Sequence, residues 1–188
     1  MILPALPRLM CRIQTAWRAA LPLAAVALLG GCDNPEKFAP PCPSLAFLRD
    51  AADLTRFVST GRDITDMVLT ARLTAVPASC QRDAEDPSKV IASLRVSATI
   101  MRGPAAKERT ADLVYFVAVT ENDKVLNERS FPLRVTFPPN SDRVNVTDDE
   151  VDLRLPVSRN KSAAAYRIYV GFRLTPDELA YNRRRDSH

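Results

Sequence analysis

A single histidine, the last of 188 residues, removes most histidine-based catalysis and most metal sites from consideration. Glycine is scarce too: none of the five falls in a phosphate-binding loop, a dinucleotide fingerprint or a nucleophile elbow. The four cysteines (Cys11, Cys32, Cys42, Cys80) form no C-x-x-C pair and no zinc-type spacing. No apolar run is long enough to span a bilayer. The longest, from Ala19 to Leu29, falls well short of the ~20 residues a membrane helix needs. What is present is ordinary: 46% hydrophobic and 26% charged residues exclude global disorder and fit one domain, with or without an extension.

The apolar run is preceded by Arg8, Arg12 and Arg18 with no acid and ends in Leu29-Gly30-Gly31-Cys32. A basic n-region, a short apolar h-region and small residues at its end are the layout of a secretory signal. Met10 as an alternative start gives a more compact leader. The closing tetrad resembles the lipobox of bacterial lipoproteins, in which a diacylglyceryl group joins the cysteine thiol and the chain is cut just before it. The resemblance implies lipidation of Cys32, cleavage between Gly31 and Cys32, and a palmitate-type membrane anchor. An ordinary secretory signal whose cysteine joins a disulfide is the alternative. Two or three acyl chains exceed what stable anchoring requires. Asp33 leaves inner versus outer membrane open. Because all 22 acids but only 23 of the 26 basic residues lie beyond the leader, the rest is nearly neutral, and no nucleic-acid partner is expected.

With Cys11 in the leader and Cys32 lipidated, Cys42 and Cys80 are left in an oxidising compartment, where a disulfide is the simplest outcome. Thiol catalysis, the rival, lacks a neighbouring histidine. Pro35, Pro40, Pro41 and Pro43 make residues 32–41 an extended tether, so residues 1–31, 32–41 and 42–188 are read as leader, tether and domain.

The domain reads as all-β, an antiparallel β-sandwich of six or seven strands, immunoglobulin-like or similar. Period-two alternation places Met67, Leu69, Ala71, Leu73 and Ala75 in one lane and Leu94, Val96, Ala98 and Ile100 in another. Residues 113–119 are apolar on both faces, which predicts a central strand. Further runs cover residues 130–137, 143–155 and 165–174, with breaks at Gly103-Pro104, Asn122-Asp123 and Pro138-Pro139-Asn140. Residues 45–58 fit a strand or one to two helical turns equally. Thr175-Pro176-Asp177-Glu178 is a capping box that predicts one short helix near residues 176–183, with Leu179 and Tyr181 positioned to dock it.

The strand-to-helix ending, YVGFRLTPDELAYNRR, resembles that of a small group of uncharacterised bacterial lipoproteins, a likeness that extends to Gly61-Arg62-Asp63 and to Arg102-Gly103-Pro104-Ala105-Ala106. It implies a family-specific domain rather than a known enzyme fold and transfers no activity.

Among candidate sites, Asp148, Asp149, Glu150 and Asp152 form the densest acidic cluster, with the oxygen chemistry of a Ca²⁺ site but no EF-hand spacing. A solvated strand edge that resists sheet association is the competing account. Asp63 and Asp66 form a carboxylate pair of the kind glycosidases use, or simply a turn before the first long strand. Arg183, Arg184 and Arg185 suit either anionic headgroups or a helix C-terminus. Arg102 and Gly103-Pro104 form either a binding loop or a plain connection. The sequons at Asn145 and Asn160 read as chance. The expectation is a lipid-anchored, non-catalytic binding or scaffolding domain facing the periplasm, with an envelope protein as partner and no cofactor. An envelope hydrolase or lyase working through carboxylates, or a small lipid- or metal-binding carrier, is the alternative.

Overall fold

The computed structural model describes residues 40–58 and 61–186. The expected leader, the expected cut between Gly31 and Cys32, the expected lipidation of Cys32 and the expected tether as far as residue 39 all lie outside the described residues. What is described is all-β with one C-terminal helix. The strands are β1 (Ser44–Phe47), β2 (Asp53–Phe57), β3 (Met67–Ala75), β4 (Ala78–Arg82), β5 (Lys89–Leu94), β6 (Ser97–Arg102), β7 (Thr110–Glu121), β8 (Lys124–Thr136), β9 (Arg143–Thr147), β10 (Val151–Pro156) and β11 (Tyr166–Phe172), followed by helix α1 (Pro176–Asp186). They form three sheets, in the orders β1-β11-β7-β8, β10-β5-β4 and β2-β3-β6-β9. Every pairing is antiparallel except β1 with β11, which is parallel.

Eleven strands stand where the alternation suggests six or seven, and the difference has a local cause. The chain runs directly from β3 into β4 over Val76-Pro77, from β5 into β6 over Arg95-Val96, and from β9 into β10 over residues 148–150. Hydrogen bonds from the Arg95 N–H to the Pro77 carbonyl (3.1 Å) and from the Asp148 N–H to the Val96 carbonyl (2.9 Å) carry the pairing across this gap. Along the middle path the buried residues Val90, Ala92, Leu94, Val96, Ala98 and Ile100 keep an unbroken period of two. The flanking paths change phase. Leu69, Ala71 and Leu73 face the core before the gap, and Val76 and Cys80 after it; Val144 and Val146 give way to Val151, Leu153 and Leu155. One extra residue on each flank bends the strands as a β-bulge does, and each long run becomes two shorter strands.

One core serves all three sheets. Strand β7 lies between β11 and β8, and Leu113, Tyr115, Val117 and Val119 on its inner face are almost fully buried. Its other face is only partly covered: Ala118 is buried but Val114 is exposed. Two tyrosine hydroxyls tie this sheet to the others, Tyr115 donating to Asp148 Oδ2 (2.6 Å) and Tyr166 to the Pro156 carbonyl (2.7 Å). The β7–β8 hairpin turns on Asn122 and Asp123, both at positive φ (48° and 64°), as a two-residue type I′ turn requires.

Residues 45–58 contain both alternatives, two strands separated by a 3₁₀ turn at Arg49–Ala51. Cys42 and Cys80 are joined in a disulfide with their Cα atoms 5.6 Å apart, tying the segment before β1 to β4. Helix α1 begins with the capping box: Thr175 N–H donates to Glu178 Oε2 (2.8 Å), and Glu178 N–H donates to Thr175 Oγ1 (3.3 Å). The helix runs on past residue 183, where arginines suit its C-terminal dipole. Arg183 and Arg185 there also bond Asp50 (2.8 Å) and Asp53 (2.7 Å).

Candidate functional site: a cleft at one end of the domain

The β6–β7 connection is built on Gly103. Its backbone lies so close to β3 that a Cβ would sit 2.1 Å from the Met67 carbonyl oxygen, which no side chain tolerates. That approach lets the Gly103 N–H donate to Val68 O (2.8 Å) and the Ala105 N–H to Met67 O (3.0 Å). Arg102 then closes the loop from inside. Its guanidinium donates to the carbonyls of Ala106 (2.8 Å) and Glu108 (3.0 Å) and to Asp142 Oδ1 (3.1 Å) in the β8–β9 connection. Arg109 reaches the same connection through the carbonyls of Phe137, Pro138 and Ser141. Arg102 is thus a clamp between two loops.

Between this loop and the end of β2 lies a cleft of about 470 Å³. Val68, Leu69, Ala111 and Phe137 form an apolar floor, and Arg56, Lys107 and Asp112 stand at its rim. Val58, 53% exposed, forms one wall, and Ile64, the most exposed large apolar side chain described (76%), follows on the 3₁₀ turn that leads into β3. Arg56 is fixed in place, donating to Glu178 Oε1 (3.0 Å) and to the Asp112 carbonyl (3.2 Å). An apolar floor with a few oriented polar groups at the rim is the usual makeup of a binding site.

The other sequence candidates are placed elsewhere. Asp63 and Asp66 belong to the turn entering β3, with the Asp66 N–H bonded to the Asp63 carbonyl (3.0 Å), and neither lines the cleft. The acidic cluster is dispersed by the bulge that separates β9 from β10. Asp148 accepts the Tyr115 hydroxyl, Glu150 pairs with Arg95 (3.3 Å), and Asp152 accepts from Ser93 Oγ (2.5 Å). Among the described residues, no group of three histidines, cysteines or acids is placed to hold a metal ion. Three of the four acids, Asp148, Glu150 and Asp152, instead serve separate contacts. Asn145 of the first sequon lies in β9 and accepts from Thr99 Oγ1 (2.7 Å).

Several polar residues that alternation does not single out prove central. Asn182, 1% exposed, donates from Nδ2 to the carbonyls of Asp50 (2.8 Å) and Asp53 (2.7 Å). Together with Glu178, one helical turn earlier, it docks α1 through polar contacts. That i, i+4 spacing was the available signal. Tyr181 adds an edge-on contact to Phe57, with ring centroids 5.1 Å apart. Burial alone would raise the Asp53 carboxyl, but hydrogen bonds from Arg72 and Arg185 outweigh it and hold the group below its ordinary value. The Tyr115 phenol is pushed well above its ordinary value by burial and by its bond to the anionic Asp148.

Fold and site together define an all-β domain with a C-terminal helix and an apolar cleft at one end. Among the described residues no helix is long and apolar enough to cross a membrane. Comparison with known proteins finds no matching family model, no matching curated protein and no matching solved structure.

Proposed function

We propose that the chain is a lipid-anchored lipoprotein of the bacterial envelope whose domain binds a protein partner and carries out no catalysis. The observation that carries this reading is Leu29-Gly30-Gly31-Cys32 at the end of a basic-then-apolar leader. The Cys42–Cys80 disulfide supports the same compartment, since such bonds persist where the environment is oxidising. The shared core and the bonds across the gap favour a two-layer sandwich, in which β1-β11-β7-β8 faces one bent sheet made of the other two. On this reading the binding element is the cleft held open by Arg102 and Gly103.

Photo-crosslinking in intact cells tests the role. A crosslinker at Lys107, on the cleft rim, is expected to capture one recurrent envelope protein that a crosslinker at Arg154 does not. Recovery of the chain alone from both positions contradicts a binding role. Envelope-polymer hydrolysis by the purified chain, abolished in Asp63→Ala or Asp66→Ala, would replace it with the hydrolase reading.

A further inference from the structure

We infer that the tip of the β7–β8 hairpin is a second membrane contact, inserting Val125 and Leu126 among anionic phospholipid headgroups and so fixing the orientation of the domain. The inference rests on the anchored reading above and adds to it a surface and its partner. Val125 and Leu126 are 55% and 48% exposed, and they are the one sequence-adjacent pair among the large apolar side chains described as exposed. Their display is built in. Val119 pairs with Asn127 and Thr120 with Val125, so Leu126 is the bulged residue, without a partner across the hairpin.

Register places this pair at the end where the chain enters the domain. Ser44, the first residue of β1, pairs with Arg167; Arg167 pairs with Thr120, and Thr120 with Val125. These four residues form one row across the sheet, so Ser44 and Val125 stand at the same level, about 14 Å apart at ~4.8 Å per strand. The turn at Asn122 and Asp123 projects beyond that row. Nine residues separate Cys32 from Cys42, a length of chain that would span roughly 28 Å if extended and would let the tip meet the surface that holds Cys32.

Charge at this end suits anionic headgroups. Lys124 and Arg167 flank the tip, and Lys161, which pairs with Glu121 (2.7 Å), brings the turn carrying Arg159 beside the end of β7. With Glu121 engaged, Asp123 is the remaining acid of the turn. Apolar side chains ringed by cations are the usual makeup of an interfacial anchor. The consequence is orientation. Strand β7 has 12 residues, so the cleft beside Thr110 and Ala111 lies roughly 37 Å from the tip and faces away from the bilayer.

The test uses the leaderless chain, coupled through the Cys32 thiol to a maleimide phospholipid in vesicles of phosphatidylethanolamine and phosphatidylglycerol. This attachment is independent of whether cells lipidate Cys32, so the inference and the anchored reading fail separately. An environment-sensitive dye is placed at residue 125 or at residue 140 through an azide-bearing amino acid. The dye at 125 is expected to shift to the blue and be quenched several-fold by lipid-borne quenchers, while the dye at 140 stays in water. In a second measurement, energy transfer from residue 140 to a lipid acceptor is expected to rise several-fold in Val125→Asp/Leu126→Asp, as the domain tilts. Equal solvent exposure at both positions, or concentration-dependent self-quenching at 125 without lipid quenching, overturns the inference.

Discussion

Tyr115 is fully buried in the inner face of β7, and its hydroxyl reaches across the core to Asp148 at the bulge between β9 and β10. Tyr115→Phe is expected to cost about 1.5–3 kcal/mol in urea unfolding at pH 8, the usual value of a hydrogen bond to a charged acceptor. The pH dependence has a definite sign. Because the folded protein holds this proton more tightly than the unfolded chain, the contribution is complete below pH ~10 and declines as pH rises past it. Unfolding at pH 8 and pH 11 is therefore expected to show a larger loss for the native chain than for Tyr115→Phe. Asp53 has the opposite sign. Its lowered value stabilises the fold above pH ~4, and that contribution is lost as pH falls through it. Asp53→Asn is expected to flatten the acid limb of a stability profile between pH 5 and pH 2, and an unchanged limb would contradict the pairing with Arg72 and Arg185. The sequence marked Asp148 as acidic but not as the partner of a core tyrosine, because the two are 33 positions apart and only the bulge aims one at the other.

Among the elements, helix α1 shows most clearly what local chemistry encodes and what it leaves out. Thr175 and Glu178 announce the start of the helix, since both halves of the capping box lie within four residues. Tyr181, one of the two residues positioned to dock the helix, does pack on Phe57, but the polar part of the docking face was not legible by the same means. Amphipathic reading looks for an apolar stripe, whereas this helix is seated by Glu178 and Asn182 against backbone carbonyls and an arginine more than 120 positions away. Asn182→Ala leaves two carbonyls without their donor and is expected to cost about 2–3 kcal/mol. Hydrogen exchange should localise the effect, with amides of residues 179–186 exchanging at least tenfold faster and those of β7 unchanged. Uniform acceleration throughout would contradict a local latch. The strands divide in the same way: the inward lanes are plain in the sequence, but their breaks are hidden. The middle path of β5 and β6 keeps its phase through the gap, and the phase changes of its neighbours fall at Val76-Pro77 and at a run of acids that reads as a turn.

For the whole molecule, the disulfide and the two ends of the sheet set the arrangement. Cys42 ties the segment that enters the domain to β4, closing a loop of 38 positions. On the chain-entropy account, Cys42→Ser/Cys80→Ser is expected to lower stability by about 4 kcal/mol at most, measured by denaturant unfolding of oxidised and variant chains. A loss below ~1 kcal/mol would show that β1 is held in place by its pairing with β11 alone. The cleft and the start of β1 lie at opposite ends of β7, an arrangement that alternation does not reveal because strand order is a long-range property. The Gly103-Pro104 turn was visible as a break; that residues 105–108 after it line a cleft depends on the close approach of Gly103 to β3, over thirty residues away. The central claim is that Cys32 carries the lipid. The direct measurement is intact-mass analysis of the N-terminal peptide from the membrane fraction of expressing cells. A peptide beginning at Cys32 and carrying a diacylglyceryl group is the predicted result, and a chain with its leader attached and an unmodified Cys32 thiol would contradict the account.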